Sequence, residues 1–109
     1  MPVQVRSTAA DRCRLLLVSG DLDLESAPEL AGAVVEALTE DPDQLVLDLT
    51  DTDFLDSSGA RALILASRQA ATSRTGIQLV CPLANTRVRR VLDLIRFDQV
   101  MPVVERFAG

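Results

Sequence analysis

The chain carries near its middle the segment Asp48-Leu-Thr-Asp-Thr-Asp-Phe-Leu-Asp56-Ser57-Ser58-Gly59, which connects an apolar strand to an apolar helix. The strand is Leu45-Val46-Leu47, and the predicted helix covers residues 60–73. Where a strand turns into a helix, the first helical N–H groups are free and the helix dipole is positive. The segment therefore presents two hydroxyl groups at a place that would tolerate a phosphate.

Length and composition indicate one domain, covering residues 1–109, with a substantial apolar core. No apolar run approaches the roughly 20 residues that span a membrane. The first six residues, Met-Pro-Val-Gln-Val-Arg, lack the apolar segment of a signal peptide. Cys13 and Cys81 lie in apolar runs, which is typical of buried, reduced thiols, and two cysteines alone cannot form a zinc site. These features predict a cytoplasmic protein without a membrane partner or a metal.

The chain has no histidine and no lysine, so all eleven basic residues are arginine. A Ser-His-Asp triad, a Ser-Lys dyad, a Schiff-base lysine and a Walker A lysine are therefore excluded. A hydrolase is further disfavoured because Leu55, two residues before Ser57, stands where a nucleophile elbow has glycine. We expect a non-enzymatic protein with no catalytic residue and no cofactor, which other proteins act upon.

Charge is distributed unevenly along the chain, whose net charge is −5. Residues 1–56 hold thirteen acids and three arginines, whereas residues 57–109 hold three acids and eight arginines. Nucleic-acid binding needs a concentrated basic face, and the acidic half disfavours it. The later arginines are spaced along predicted helices, where solvated helix faces account for them.

Apolar runs and alternating patterns predict five strands, at residues 3–8, 13–18, 45–49, 77–81 and 100–104. Helical spacing predicts three helices, which begin at Ser26, at Ser57, and at Asn85 or Thr86. Strands that alternate with helices run parallel, and the first two strands add an antiparallel pair. We therefore predict an α/β fold: one small, mixed, mostly parallel sheet of four to five strands, covered by three to four helices.

The limits of these elements follow from local signals. Residues 9–12 are predicted as a turn, and Gly20-Asp21-Leu22-Asp23 as the end of the second strand. Ser26-Ala-Pro-Glu29 reads as a capping box, and Gly76 as the stop signal of the second helix. The apolar faces of the first and third helices are predicted to consist of Leu30, Val34, Val35, Leu38, Val88, Val91, Leu92 and Ile95.

Three segments together resemble the STAS domain, in particular the free-standing bacterial anti-sigma factor antagonists. They are Gly20-Asp21-Leu22-Asp23, Leu47-Asp48-Leu49 and Phe54-Leu55-Asp56-Ser57-Ser58-Gly59. The resemblance covers nearly the whole chain and implies a STAS-like fold. The chain departs from the family at Ala60, where a larger aliphatic residue is common. Its last residues, Glu105-Arg-Phe-Ala108, allow at most a short final helix.

The resemblance implies a partner-switching regulator of transcription. The unphosphorylated protein binds an anti-sigma factor that is also a serine kinase, and the sigma factor is released. Phosphorylation of Ser57 ends binding, and a metal-dependent phosphatase of the PP2C type resets the protein. Asp56 is the acidic neighbour of the serine, Asp23 lies on the adjacent loop, and Ser58 and Gly59 complete the partner-binding segment. We expect the free protein to be a monomer.

Alternative interpretations stay open for each of these residues. Ser57 could serve only as a helix N-cap, and Ser58 could be a second or alternative phosphorylation site. Asp23 could only form the turn before the first helix, and Gly59 could serve close packing. The acids Asp51, Asp53 and Asp56 could bind Mg²⁺ weakly, although a solvated loop is the simpler interpretation. The competing function is a STAS scaffold that does not switch, or a module that senses a ligand or nucleotide.

Overall fold

A computed structural model describes residues 3–107, which fold into six strands, three α-helices and one 3-10 helix. In chain order, the elements are β1 (Gln4–Ala10), β2 (Cys13–Leu22), α1 (Ala27–Leu38), β3 (Gln44–Asp48), β4 (Thr52–Leu55), α2 (Ser57–Thr72), β5 (Gly76–Val80), α3 (Thr86–Leu94), the 3-10 helix (Phe97–Gln99) and β6 (Val103–Val104).

The strands form one mixed sheet with the order β1-β2-β3-β5-β6, while β4 pairs with β2 off this path. The β1–β2 pair is antiparallel, and the other pairs are parallel. The predicted α/β class and the mostly parallel sheet are therefore confirmed. The predicted number of four to five strands is too low, because the sheet has six and β4 lies in a segment whose sequence predicts a loop.

The core lies where α1, α2 and the apolar faces of the strands meet. β3 is buried at three successive positions, Leu45, Val46 and Leu47, because parallel strands in the middle of a sheet are covered on both faces. α1 contacts β1 and β2, α2 contacts β4 and β5, and the two helices also contact each other. The largest fully buried side chains are Phe97, Leu16, Leu22, Leu30, Leu45, Leu47, Leu49, Leu63, Leu79, Leu92, Val18 and Val34.

The β1–β2 hairpin is longer and tighter than predicted. β1 continues to Ala10, so the turn consists of Asp11 and Arg12 alone, and both have positive φ angles of 48° and 63°. The Arg12 side chain links this turn to the residue before β3, because its Nε lies 3.1 Å from an Asp43 carboxylate oxygen. At its other end, β2 runs on to Leu22 instead of ending at Val18.

Two predicted helix features are wrong. Val35 and Ile95, assigned to apolar faces turned inward, are 51% and 46% exposed. Gly76 does not stop α2, because the left-handed position after that helix belongs to Arg74, with a φ of 57°. Gly76 instead opens β5, where an added Cβ would collide with the side chain of Gln44.

The end of the chain is less regular than the sequence suggests. β6 has only two residues, and Val100, predicted to begin this strand, is exposed. Glu105 and Arg106 form a bend instead of a final helix, and Ala108 lies outside the described residues. Between residues 3 and 107, the helices are too short or too polar to cross a membrane.

Both cysteines are free thiols. Cys81 is fully buried, as predicted, whereas Cys13 is only partly buried. Burial raises the pKa of both thiols above its ordinary value, which favours the protonated form.

Candidate functional site

The site is assembled by β2, which is long enough to pair with two strands in succession. Its first half pairs with β3, and its last residues, Gly20 to Leu22, pair with Thr52 to Leu55 of β4. The register shifts after Gly20, whose φ of 87° is in the region that favours glycine. Because β2 and β4 are parallel, Asp23 and Asp56 follow them at the same edge of the sheet.

Asp56 caps the N-terminus of α2. Its backbone is extended, with φ of −107° and ψ of −174°, and its Oδ1 accepts a hydrogen bond from the Gly59 N–H at 2.9 Å. The Asp56 N–H in turn donates to the Leu22 carbonyl at 3.3 Å. The carboxylate therefore satisfies one free N–H of α2, while the backbone ties the helix start to the end of β2.

Ser57 is the first residue of α2 and is exposed to solvent. Within residues 3–107, its hydroxyl has no hydrogen-bond partner. The interpretation of Ser57 as an N-cap is therefore wrong, because Asp56 fills that role. Ser58 is half-buried, so its hydroxyl is less accessible than that of Ser57.

Asp23 and Ser26 form a compact turn before α1. The Asp23 Oδ1 accepts from the Ser26 N–H at 3.1 Å and lies 2.9 Å from the Ser26 hydroxyl, which itself accepts from the Asp23 N–H at 2.8 Å. Bonds from the hydroxyl, and then from the backbone N–H, hold the pKa of the Asp23 carboxyl below its ordinary value. The hydrogen bonds of the Asp23 carboxylate with Ser26 agree with the interpretation that Asp23 forms the turn before the first helix.

The predicted capping box at Ser26 does not form. Ser26 has helical backbone angles, with φ of −96° and ψ of −13°, and its side chain makes no capping hydrogen bond to α1. Its hydroxyl is engaged with the preceding turn instead. Pro28 does lie in the first turn of α1, as predicted.

Gly59 lies where α2 crosses the end of β2 most closely. A Cβ at this position would collide with the Leu22 carbonyl oxygen and would lie 2.7 Å from Cδ1 of Leu55. The structural interpretation of Gly59, close backbone approach, is confirmed. This close packing positions the start of α2, which includes Ser57, against the end of β2.

The comparison with protein families agrees with this geometry. Residues 5–105 match the family described as "Mlab, STAS domain". The chain belongs to the STAS domain family.

A curated relative of this STAS domain is named as an anti-sigma factor antagonist. The chain is 32% identical over 74 residues to "Anti-sigma-F factor antagonist RsfB" of Mycobacterium tuberculosis. This match covers 66% of the chain and 61% of the relative, so the chain spans less than two thirds of that protein.

Solved structures confirm the fold. The crystal structure of an anti-sigma factor antagonist from Mycobacterium paratuberculosis has a TM-score of 0.81 at 24% identity, covering 96% of this chain and 87% of the other. The structure of the anti-sigma factor antagonist SpoIIAA in its unphosphorylated form has a TM-score of 0.70 at 14% identity, covering 96% and 90%. At these identities, the likeness concerns the STAS fold alone.

One structural residue of the STAS site escaped the sequence analysis. Asn85, interpreted there as a helix cap, makes no capping bond; its Nδ2 donates to the carbonyls of Leu49 at 2.9 Å and Thr52 at 2.8 Å. The amide thereby clamps the loop between β3 and β4. No local sequence signal could reveal this role, because the two carbonyls lie more than thirty residues away.

The suggested cation site at Asp51, Asp53 and Asp56 does not assemble. In the part of the chain that is described, no group of three or more Asp, Glu, Cys or His side chains is arranged to hold a metal ion. Asp56 is engaged as the cap of α2, while Asp51 and Asp53 are exposed.

Proposed function

We propose that this chain is an anti-sigma factor antagonist that works by partner switching. In its unphosphorylated form it binds an anti-sigma factor, which is also a serine kinase, and the bound sigma factor is released. Phosphorylation of Ser57 ends the interaction. The similarity to RsfB, which is named as an anti-sigma factor antagonist, supports this role.

One observation carries the proposal: Ser57 is exposed and unpartnered at the start of α2, while Asp56 performs the capping that the fold needs. A kinase can therefore reach the hydroxyl without breaking a hydrogen bond of the fold. Ser58, by comparison, is half-buried and faces the neighbouring helix α1 across a groove.

The proposed modification is an ordinary phosphoryl transfer from ATP. A bond forms between Ser57 Oγ and the γ phosphorus while the bond from that phosphorus to the β–γ bridging oxygen breaks, so ADP leaves. The hydroxyl proton passes to a base of the kinase or to solvent. For the reset, a PP2C-type phosphatase would direct water to the phosphorus and release inorganic phosphate.

The phosphoryl group would change the surface more than the fold. It adds about −1.5 to −2 charges at neutral pH. The free N–H groups and positive dipole end of α2 favour such a charge. The carboxylates of Asp23 and Asp56, which follow β2 and β4 at this edge, have charge of the same sign. A partner surface that fits the unmodified edge would therefore meet added negative charge and bulk. We expect little loss of stability and a large loss of partner binding.

The first test is a phosphorylation assay on the purified chain with ATP and each candidate anti-sigma kinase from the same genome. Phosphate is mapped by mass spectrometry in wild type, Ser57→Ala and the matched control Ser58→Ala. We expect phosphate on Ser57, absent in Ser57→Ala and retained in Ser58→Ala. Phosphate that persists in Ser57→Ala and disappears in Ser58→Ala would move the site to Ser58.

A binding assay completes the test. We expect Ser57→Asp to bind the same kinase more weakly by roughly tenfold or more, with its free energy of unfolding unchanged to within about 0.5 kcal/mol. If a candidate binds the chain tightly but transfers no phosphate, and Ser57→Asp binds equally well, the chain is a scaffold that does not switch.

A further inference from the structure

Two adjoining parts of a groove lie between α1 and α2, and the first is lined by Ser58, the neighbour of the candidate phosphorylation site. Near the helix N-termini it has a volume of about 580 Å³ and is lined by Leu24, Ala27 and Ala31 on one side and by Ser58, Ala62 and Leu65 on the other. A second part, of about 490 Å³, lies between the C-terminal halves of the helices. Leu65 and Gln69 line both parts, so we treat them as one feature, the α1–α2 groove.

The α1–α2 groove exposes three large apolar side chains close to one another. Leu24 is 74% exposed, Val35 51% and Leu65 42%. Four of the residues that line the groove are alanines, at positions 27, 31, 62 and 66, and their small side chains leave room for a ligand. α1 has 12 residues, or about 18 Å of length, so the groove can accommodate a helix of about three turns. An amphipathic helix in an apolar groove is a common mode of protein recognition.

The charge of the groove is opposite to that of the chain. The chain has a net charge of −5, yet within residues 3–107 the charged side chains that line the groove are two arginines, Arg61 and Arg68. They are seven residues apart on α2, which is two helical turns or about 10.5 Å. A helix with acidic side chains at the same spacing would match them.

We propose that the α1–α2 groove binds an amphipathic helix of the anti-sigma factor, whose apolar face covers Leu24 and Leu65 and whose acidic side chains pair with Arg61 and Arg68. This inference rests on the proposed function, and it specifies the chemistry of the partner.

The same geometry links the groove to phosphorylation. Ser57 precedes Arg61 by four residues, and at about 100° per residue Ser57, Arg61 and Arg68 fall within about 40° of one another on α2. Side chains four residues apart on a helix are neighbours, so a phosphoryl group on Ser57 lies within reach of Arg61. It pairs with that arginine and repels the acidic helix, so the phosphate and the partner compete for one guanidinium.

The groove can be tested without the natural partner. The probes are two synthetic helical peptides of about 15 residues with the same leucine ridge, one with glutamates seven residues apart and a twin with lysines there. Each is titrated into the full chain labelled with ¹⁵N, and amide shifts are followed by NMR. We expect the acidic peptide to shift residues of α1 and α2 and to bind several-fold more tightly than its twin.

Substitutions with matched controls distinguish binding in the groove from nonspecific association of the peptides with the protein surface. Arg61→Gln and Arg68→Gln should each weaken the acidic peptide about two- to fivefold, the range expected for an exposed ion pair, whereas Arg90→Gln on α3 should not. Leu24→Ser should weaken both peptides, and Leu94→Ser, at a comparably exposed site of 77%, should weaken neither. Ser57→Glu should weaken the acidic peptide, whereas Thr86→Glu, at the first residue of α3, should not.

The proposal is overturned if the acidic peptide shifts no groove residue at millimolar concentration, or if both peptides bind equally. It is also overturned if the chain sediments as a dimer that Leu24→Ser dissociates, because a second copy would then cover the groove. Groove binding without phosphorylation of Ser57 by any candidate kinase would refute the switching function alone. Phosphorylation of Ser57 without peptide discrimination would refute the groove proposal alone.

Discussion

We predict that Gly59→Ala destabilises the protein, whereas Gly32→Ala, in the middle of α1, stabilises it. The new Cβ of Gly59→Ala would collide with the Leu22 carbonyl oxygen and lie 2.9 Å from its carbonyl carbon. These are backbone atoms of a paired strand, so α2 has to move instead. At Gly32, nothing lies within 4 Å of the added Cβ.

The two magnitudes follow from packing and helix propensity. Overfilling a packed site costs about 1–3 kcal/mol, and contacts this short with backbone place Gly59→Ala in the upper part of that range. Alanine recovers up to about 1 kcal/mol over glycine inside a helix. We therefore expect a net loss of about 1–2 kcal/mol for Gly59→Ala. Gly32→Ala should gain about 0.5–1 kcal/mol, because only the propensity contributes.

Urea unfolding followed by far-UV circular dichroism measures both variants. Tryptophan or tyrosine fluorescence cannot serve, because the chain contains neither residue. A domain of this size changes its Tm by about 4–8 °C per kcal/mol, so thermal unfolding should also separate the two variants clearly. If Gly59→Ala were as stable as the wild type while Gly32→Ala gained stability, the close packing of α2 on the end of β2 would be refuted.

Three further predictions concern the loops of the site. Asp56→Ala should lose about 0.5–2 kcal/mol of stability with the helix cap, and Asp56→Asn should retain most of it, as urea unfolding will show. Asp23 has a lowered pKa in the folded state, so its stabilising effect is full above its ordinary unfolded pKa and is lost as pH falls through the folded value. Ser26→Ala should raise the Asp23 pKa in a carboxyl NMR titration; an unchanged pKa would show that the hydroxyl is not its main cause. Asn85→Ala should cost about 1–3 kcal/mol, because the Leu49 and Thr52 carbonyls both lose the amide donor, although the Leu49 carbonyl keeps the Thr52 N–H, whereas Gln99→Ala on the surface should be neutral.

The parts of the fold that could be predicted are those coded by local pattern. β3 could be read from Leu45-Val46-Leu47, since a run that is apolar at every position is typical of a strand covered on both faces. The start of α2 could be read from Asp56-Ser57-Ser58-Gly59, because polar cap residues precede an apolar helix there. The place of the candidate site followed from these two elements.

The parts that could not be predicted depend on partners distant in sequence. β4 has four residues, two of them exposed, so its pattern is too short to distinguish it from a loop. It is held by pairing with β2 and by the buried Thr52 hydroxyl, which donates to the Val18 carbonyl at 2.8 Å. Ser26 gave a false capping signal for a different, local reason: its hydroxyl is hydrogen-bonded to Asp23, three residues earlier, instead of to α1.

The identity of the cap residue has the greatest consequence for function. If Ser57 capped α2, phosphorylation would replace the hydroxyl acceptor of the cap with phosphate oxygens, and modification would be coupled directly to the stability of the helix start. With Asp56 as the cap, the side-chain hydrogen bond at the start of α2 does not use the Ser57 hydroxyl. The added charge then changes mainly the surface of the protein near Arg61, and its main effect is on partner binding. Asp56→Ala, which removes the cap, should therefore make phosphorylation of Ser57 more stabilising than it is in the wild type, because the phosphate oxygens can then accept from the freed N–H groups of α2; comparison of urea midpoints with and without phosphate tests this coupling directly.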